Sequence, residues 1–211
     1  MESQVRGGTR WKRFAVVMVP SVAAAACVGV GLAQGALAAS FSVSGQQFKV
    51  SAEHLKGTGF AQYGGIDTVY ETTEGKSTKP VPVAISSFKT AKITNMCQSV
   101  ATPIPGIGTV YLRLDAGREK PVTAKNLYID VAQLDANATF EDIDIGVAVR
   151  DQNRGPDVKQ GEKVLPGGFA QQAKTATLTK VEQTAWATTA GTFTLNGLSM
   201  KLGMKKEMEC F

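Results

Sequence analysis

Beyond residue 40, apolar positions recur every second residue, and no stretch of helical length carries the three-and-four spacing of a helix face. This pattern predicts a body made mainly of strands, at residues 41–50, 81–85 continuing to 96, 109–114, 126–131, 143–149, 176–181 and 192–202. Within one of them Ile143, Ile145, Val147 and Val149 point one way and Asp142, Asp144, Gly146 and Ala148 the other, which predicts one dry and one mostly wet face. Near the end, Asn196-Gly197 separates two alternating segments and predicts a hairpin with a two-residue turn. In that register Phe193 faces Met200 and Leu195 faces Leu198, so the large apolar residues share a side. A weak echo begins at Ala91, Ala138 and Ala176, at unequal intervals. The expected fold is an antiparallel β-sandwich or a curved, elongated sheet, with an irregular β-solenoid as the alternative. Residues 151–168 are polar and rich in Gly and Pro, and are expected to be the most mobile element.

The N-terminal pattern is of another kind. Residues 14–39 carry no charge, and Arg6, Arg10, Lys12 and Arg13 stand just before them. That is the pattern of an export signal or a transmembrane helix, with residues 1–13 held in the cytoplasm and residues 40–211 sent across as one extracytoplasmic β domain. Two features of the segment point in opposite directions. Ala36, Leu37 and Ala38 offer the small residues that signal peptidase accepts, which predicts a mature start near Ala39. The stretch is also long enough to span roughly 30 Å of hydrocarbon and remain as an anchor. Cys27 lacks the flanking leucine of a lipid-attachment motif and reads as a small apolar residue of that segment.

Composition changes the picture little. Of 211 residues, 43% are hydrophobic and 19% charged, as in an ordinary globular protein. Of the 23 basic and 18 acidic residues, four and one lie before residue 39, which leaves the body a net charge of +2. No basic stripe interleaved with aromatics is present in the body, so the charge excludes nucleic acid as the expected partner. Cys97 and Cys210 are an even pair, expected to be disulfide-bonded in an oxidising compartment, with two separate buried thiols as the alternative. Without a Cys/His cluster neither anchors zinc, and no cofactor or metal is expected.

Motifs for catalysis are weak. His54 is the one histidine and no Gly-x-Ser-x-Gly elbow occurs, which disfavours a serine hydrolase. Asp151, Asn153, Gly155, Asp157 and Glu162 have a faint calcium-loop spacing, but Pro156 stands where that loop needs Gly and Lys159 adds positive charge. A solvated turn is the expected reading. Glu141, Asp142 and Asp144 read as the wet side of a strand, and Gly64-Gly65 and Gly167-Gly168 as turns beside Tyr63 and Phe169.

The segments WKRFAVVMVP (11–20), AQGALAASF (33–41), GQQFKV (45–50), GFAQQA (168–173) and QTAWATTAGTF (183–193), with the ending ECF, carry a resemblance that covers nearly the whole chain. Together they resemble an actinobacterial family of exported proteins of unknown function, sometimes labelled "cholesterol esterase". The resemblance implies an extracytoplasmic envelope protein with a small multi-pass membrane protein as partner, and it supplies no catalytic residues. From the export segment, the β body and the lack of a reactive constellation, the expected function is non-enzymatic binding of an apolar ligand, a lipid or a membrane partner. A lipid or sterol ester hydrolase and a structural surface protein are the alternatives.

Overall fold

The structure, a computed structural model, describes residues 44–71 and 75–211. The basic segment, the apolar stretch with Cys27, and the motif Ala36, Leu37 and Ala38 lie outside the described residues. The described part is mainly β and antiparallel, as the alternation predicts, and eight strands form one sheet. They are β1 (Phe48–Tyr70), β2 (Thr78–Thr94), β3 (Met96–Ile104), β4 (Gly108–Ala116), β5 (Val122–Ala148), β6 (Lys163–Val164), β7 (Phe169–Thr194) and β8 (Ser199–Gly203).

The four long strands close a ring. β1 pairs with β2 from His54↔Thr94 to Tyr70↔Thr78, β2 with β5 from Ala84↔Val131 to Ile93↔Val122, and β5 with β7 from Thr123↔Thr194 to Ala148↔Phe169. The start of β1, from Phe48↔Ala185 to Ala52↔Val181, returns to β7 and completes it. On its other edge the same start of β1 pairs with β3, and β3, β4 and β8 extend the sheet as a wing. Every core residue, ladder and disulfide described lies within the compact unit Phe41–Phe211.

Two cores follow from the two sides of the strands. Inside the ring, Leu55, Phe60, Phe88, Leu127, Ile129, Leu178 and Val181 pack together, with Phe60 5.2 Å from both Phe88 and Phe140 between ring centroids. On the outer side Tyr63, Val69, Val81, Val83, Ile85 and Ala170 form a second core. Residues 151–168 cover it, with Val158 and Val164 packed against it.

The segment expected to be mobile is fastened to the sheet in this structure. The Gln172 side-chain oxygen accepts hydrogen bonds from the backbone N–H groups of Asn153 (2.9 Å) and Arg154 (3.0 Å), and β6 adds a short ladder to Gly65 and Ile66. Gly155 is buried, and a Cβ placed on it would lie 2.4 Å from the Cβ of Ala61 on β1. Gly155→Ala is expected to cost about 1–3 kcal/mol through this overpacking. Gly167→Ala, where a Cβ meets nothing within 4 Å, should leave the urea midpoint unchanged. Equal midpoints for the two variants would show that the cover does not bear on β1.

Two expectations are corrected. Asn196 and Gly197 lie in a turn, with Gly197 at φ 67°, but the strands they join do not pair with each other. Phe193 lies opposite Ala124 on β5, and Met200 opposite Leu114 on β4. Turn chemistry sets only a local bend: the antiparallel ladders from β7 through β1, β3 and β4 leave β8 running in the same sense as β7, so the chain does not double back there. The partners are decided by burial, and the ladder with β5 lets Phe193 and Leu195 pack against the main core. The second correction concerns the face predicted to be dry: Ile145 is 68% exposed and Ile143 36% exposed, while Val149 is buried. β5 runs past its last β2 partner at Val131, and Asp142 (φ 52°) and Gly146 (φ 90°) break its regular course, so no layer covers Ile145.

Candidate functional site

The interior of the ring is incompletely filled. A cavity of about 130 Å³ lies between β1, β2, β5 and β7. Its apolar wall comes from Leu55, Phe60, Phe88, Ile129, Leu178 and Val181. Along β5 the inward residues are Leu134, Ala136, Ala138 and Phe140, two small side chains between two large ones, and this is the stretch that β2 no longer flanks. Ala138 is exposed and the others are half-buried, so the cavity reaches solvent across the two alanines.

One wall is polar. Gln62 donates to Ser86 Oγ (2.8 Å) and accepts from Gln171 Nε2 (2.6 Å), and Gln183 completes the lining on β7. Ser86 is the one hydroxyl among the lining residues, and no histidine, aspartate or glutamate stands beside it. An acyl transfer needs a base within hydrogen-bond reach of its nucleophile, and the lining places none beside Ser86. An apolar chamber with a few fixed amides suits a molecule with an apolar end and a neutral polar group.

A second cluster lies under residues 151–168. Asp67 on β1, Asp130 on β5 and Glu162 in the cover share one low-dielectric region with Tyr63, Tyr128 and Lys159. Tyr63 donates its hydroxyl to Glu162 at 3.1 Å, and Tyr128 donates to the Asp157 carbonyl at 2.8 Å. Asp130 is 5% exposed, and its Oδ1, like Asp67 Oδ2, has no hydrogen-bond partner. Burial, followed by the charges of Asp67 and Glu162, pushes the Asp130 carboxyl up to about 7. Burial likewise raises Asp67 and Glu162, against the lowering effect of Lys159. Among the described residues no group of three or more His, Cys, Asp or Glu is placed to hold a metal ion.

The residues singled out from sequence are scattered. Cys97 on β3 and Cys210 at the C-terminus are joined by a disulfide, S–S 2.04 Å. His54 projects from β1, more than half exposed, with its Nε2 4.0 Å from Glu53. Glu162 turns away from Asp151 toward Tyr63, while Asp151 pairs with Arg150 at 3.8 Å. Asp144 accepts from Gln172 and pairs with Arg154 at 3.1 Å. Of the glycine pairs, Gly64 and Gly65 lie within β1, and Gly167 and Gly168 enter β7. The reading of the sequence missed both the cavity and the acidic cluster. Their traces were Leu134, Ala136, Ala138 and Phe140 at period two with a small centre, and an acid at 130 inside the apolar run LYIDV.

Residues 44–211 match the family model described as "Family of unknown function (DUF6230)". No curated protein and no solved structure matches the chain.

Proposed function

The chain belongs to this family of unknown function, and we propose that it is an extracytoplasmic envelope protein that binds, without turning over, the apolar end of a lipid-like ligand inside the ring. The observation that carries this reading is the apolar cavity, open to solvent across Ala136 and Ala138, with its polar wall of Gln62, Ser86 and Gln183. Size narrows the ligand. An engineered cavity of about 150 Å³ takes up benzene, whereas pockets for drug-sized molecules run to roughly 300–1,000 Å³. The 130 Å³ here therefore suits one ring or the end of an acyl chain, and a whole sterol is too large to be enclosed. The export segment and the oxidised cysteine pair support the extracytoplasmic placement.

The test is extraction and mass spectrometry of lipid that co-purifies with the protein, comparing the wild type with Ala136→Leu. The added carbons occupy the chamber, so bound lipid is expected to fall roughly tenfold, while the melting temperature holds or rises because a void has been filled. Equal lipid in both proteins would remove the cavity from the reading, and lipid in neither would leave a structural surface role. Ester turnover that disappears in His54→Ala would instead support the hydrolase.

A further inference from the structure

The chain enters the β domain beside an apolar tip, and we infer that this tip rests in the surface of the bilayer that holds residues 14–39. The inference rests on the extracytoplasmic reading above, with residues 14–39 kept as an anchor in place of cleavage near Ala39, and adds a second surface to it. The tip is the turn between β3 and β4, where Ile107 is 61% exposed and Ile104 is also exposed. Met204, just after β8, lies against it, since a Cβ on Gly108 would stand 3.7 Å from the Met204 methyl. Leu202, opposite Leu112 on β4, continues the patch along the edge strand. Four large apolar side chains at one corner of the wing exceed the scattered single residues normal on a protein surface.

Where the chain comes from decides what covers them. Ser44 and Gln46 line the same groove as Ile104 and Gly108, and Thr102 on β3 donates to Gln46 Oε1 at 2.9 Å. The uncharged stretch ends at Ala39, five residues before Ser44. Five residues reach at most about 17 Å, so with that stretch in hydrocarbon the tip stays within reach of the headgroups. Short tethering of this kind raises the local concentration of the surface and makes a modest apolar contact sufficient. Lys205 and Lys206 follow Met204 and are exposed, placed to meet anionic headgroups as the isoleucines enter the acyl boundary.

The experiment uses the full chain, with Cys27→Ser and the Cys97–Cys210 disulfide intact, reconstituted in vesicles of phosphatidylglycerol mixed with phosphatidylcholine. An environment-sensitive fluorophore is attached at Ile107→Cys, at Met204→Cys, or at Ile145→Cys, which is exposed on the long β5 strand away from the tip. Labels at 107 and 204 should shift to the blue and be quenched several-fold more by nitroxide lipids than the label at 145. Equal quenching at all three positions overturns the inference. A blue shift at 107 without lipid quenching also overturns it, because a second copy would then cover the tip. A chain that washes off the vesicles in carbonate also overturns it, because residues 14–39 then hold nothing in the bilayer. The lipid bound by the cavity, measured separately in Ala136→Leu, is untouched by any of these outcomes.

Discussion

Replacing Cys97 and Cys210 together by serine is expected to lower the stability of the β domain by about 2–5 kcal/mol. The disulfide closes a loop of 113 residues, and in the chain-entropy picture a loop of that length removes roughly 5 kcal/mol of freedom from the unfolded chain. The bond also fixes a geometry. The last residues cross the side of β3 and β4 opposite Leu112 and Leu114, where the Cys210 N–H donates to Ser99 Oγ at 3.1 Å. Glu209 there pairs with Lys49 at 3.3 Å, and Lys49 also donates to the Phe211 carbonyl at 2.9 Å. These are partly exposed contacts, each weak alone, and the covalent bond holds them in register. Urea titration of the oxidised wild type, the reduced wild type and the double serine variant reads the effect. The reduced protein and the variant should share a lower midpoint, and a reduced midpoint equal to the oxidised one would rule the tail out as a constraint.

The second large effect concerns pH. Asp130 ionises near its ordinary 3.8 in an unfolded chain and near 7 when folded. Between those values the folded protein holds a proton that the unfolded chain has released, so stability falls as pH rises through this window and levels off above about 7. A shift of that size corresponds to about 4 kcal/mol. The groups facing Asp130 are Asp67 from β1, Glu162 and Lys159 from the cover, and the hydroxyls of Tyr63 and Tyr128. Asp67 and Glu162 are raised as well and act in the same direction. Asp115 acts in the opposite direction: its pairing with Arg113 at 3.0 Å lowers it, so its contribution is lost as pH falls below the ordinary carboxylate range. Stability should therefore peak on the acid side of neutrality. Asp130→Asn is expected to flatten the fall between pH 4 and 7 and to raise the urea midpoint at pH 8. A variant with the slope of the wild type would show that Asp130 is ionised in the folded protein. Because the cover sits directly on these carboxylates, the hydrogen-exchange protection factors of residues 151–168, taken relative to the intrinsic exchange rate at each pH, should fall with rising pH in the wild type and hold in Asp130→Asn.

Some of this was legible in the residues. The alternation around Val81, Val83 and Ile85 places all three on one side of β2, and all three are buried in the outer core. Long stretches of β1, β5 and β7 were not read as strands at all. Gly57, Gly59, Gly64 and Gly65 interrupt β1, and on β5 the apolar side opposite Gln133, Asp135, Asn137, Thr139 and Glu141 is weak, with Ala136 and Ala138 at its centre. Inside a closed ring, glycine and alanine are what the close approach requires: a Cβ on Gly57 would stand 2.2 Å from the Phe88 ring. The cavity was hidden for the same reason, because Ala136 and Ala138 are ordinary small residues until Phe60, Phe88 and Leu178 arrive from three other strands to leave a space before them.

By itself the sequence determined the strand class, the residues that share a side of each strand, the place of the turn at Asn196-Gly197 and the pair of cysteines available to join. Such features depend on neighbours one to four positions apart, where backbone geometry leaves few choices. Only the tertiary structure decided that β7 takes β5 and β8 takes β4, that Ile145 stays in water, that Asp130 is enclosed, and that the ring keeps an apolar chamber. Those outcomes turn on which distant surfaces bury each other most fully, a competition among all strands at once that no local pattern encodes.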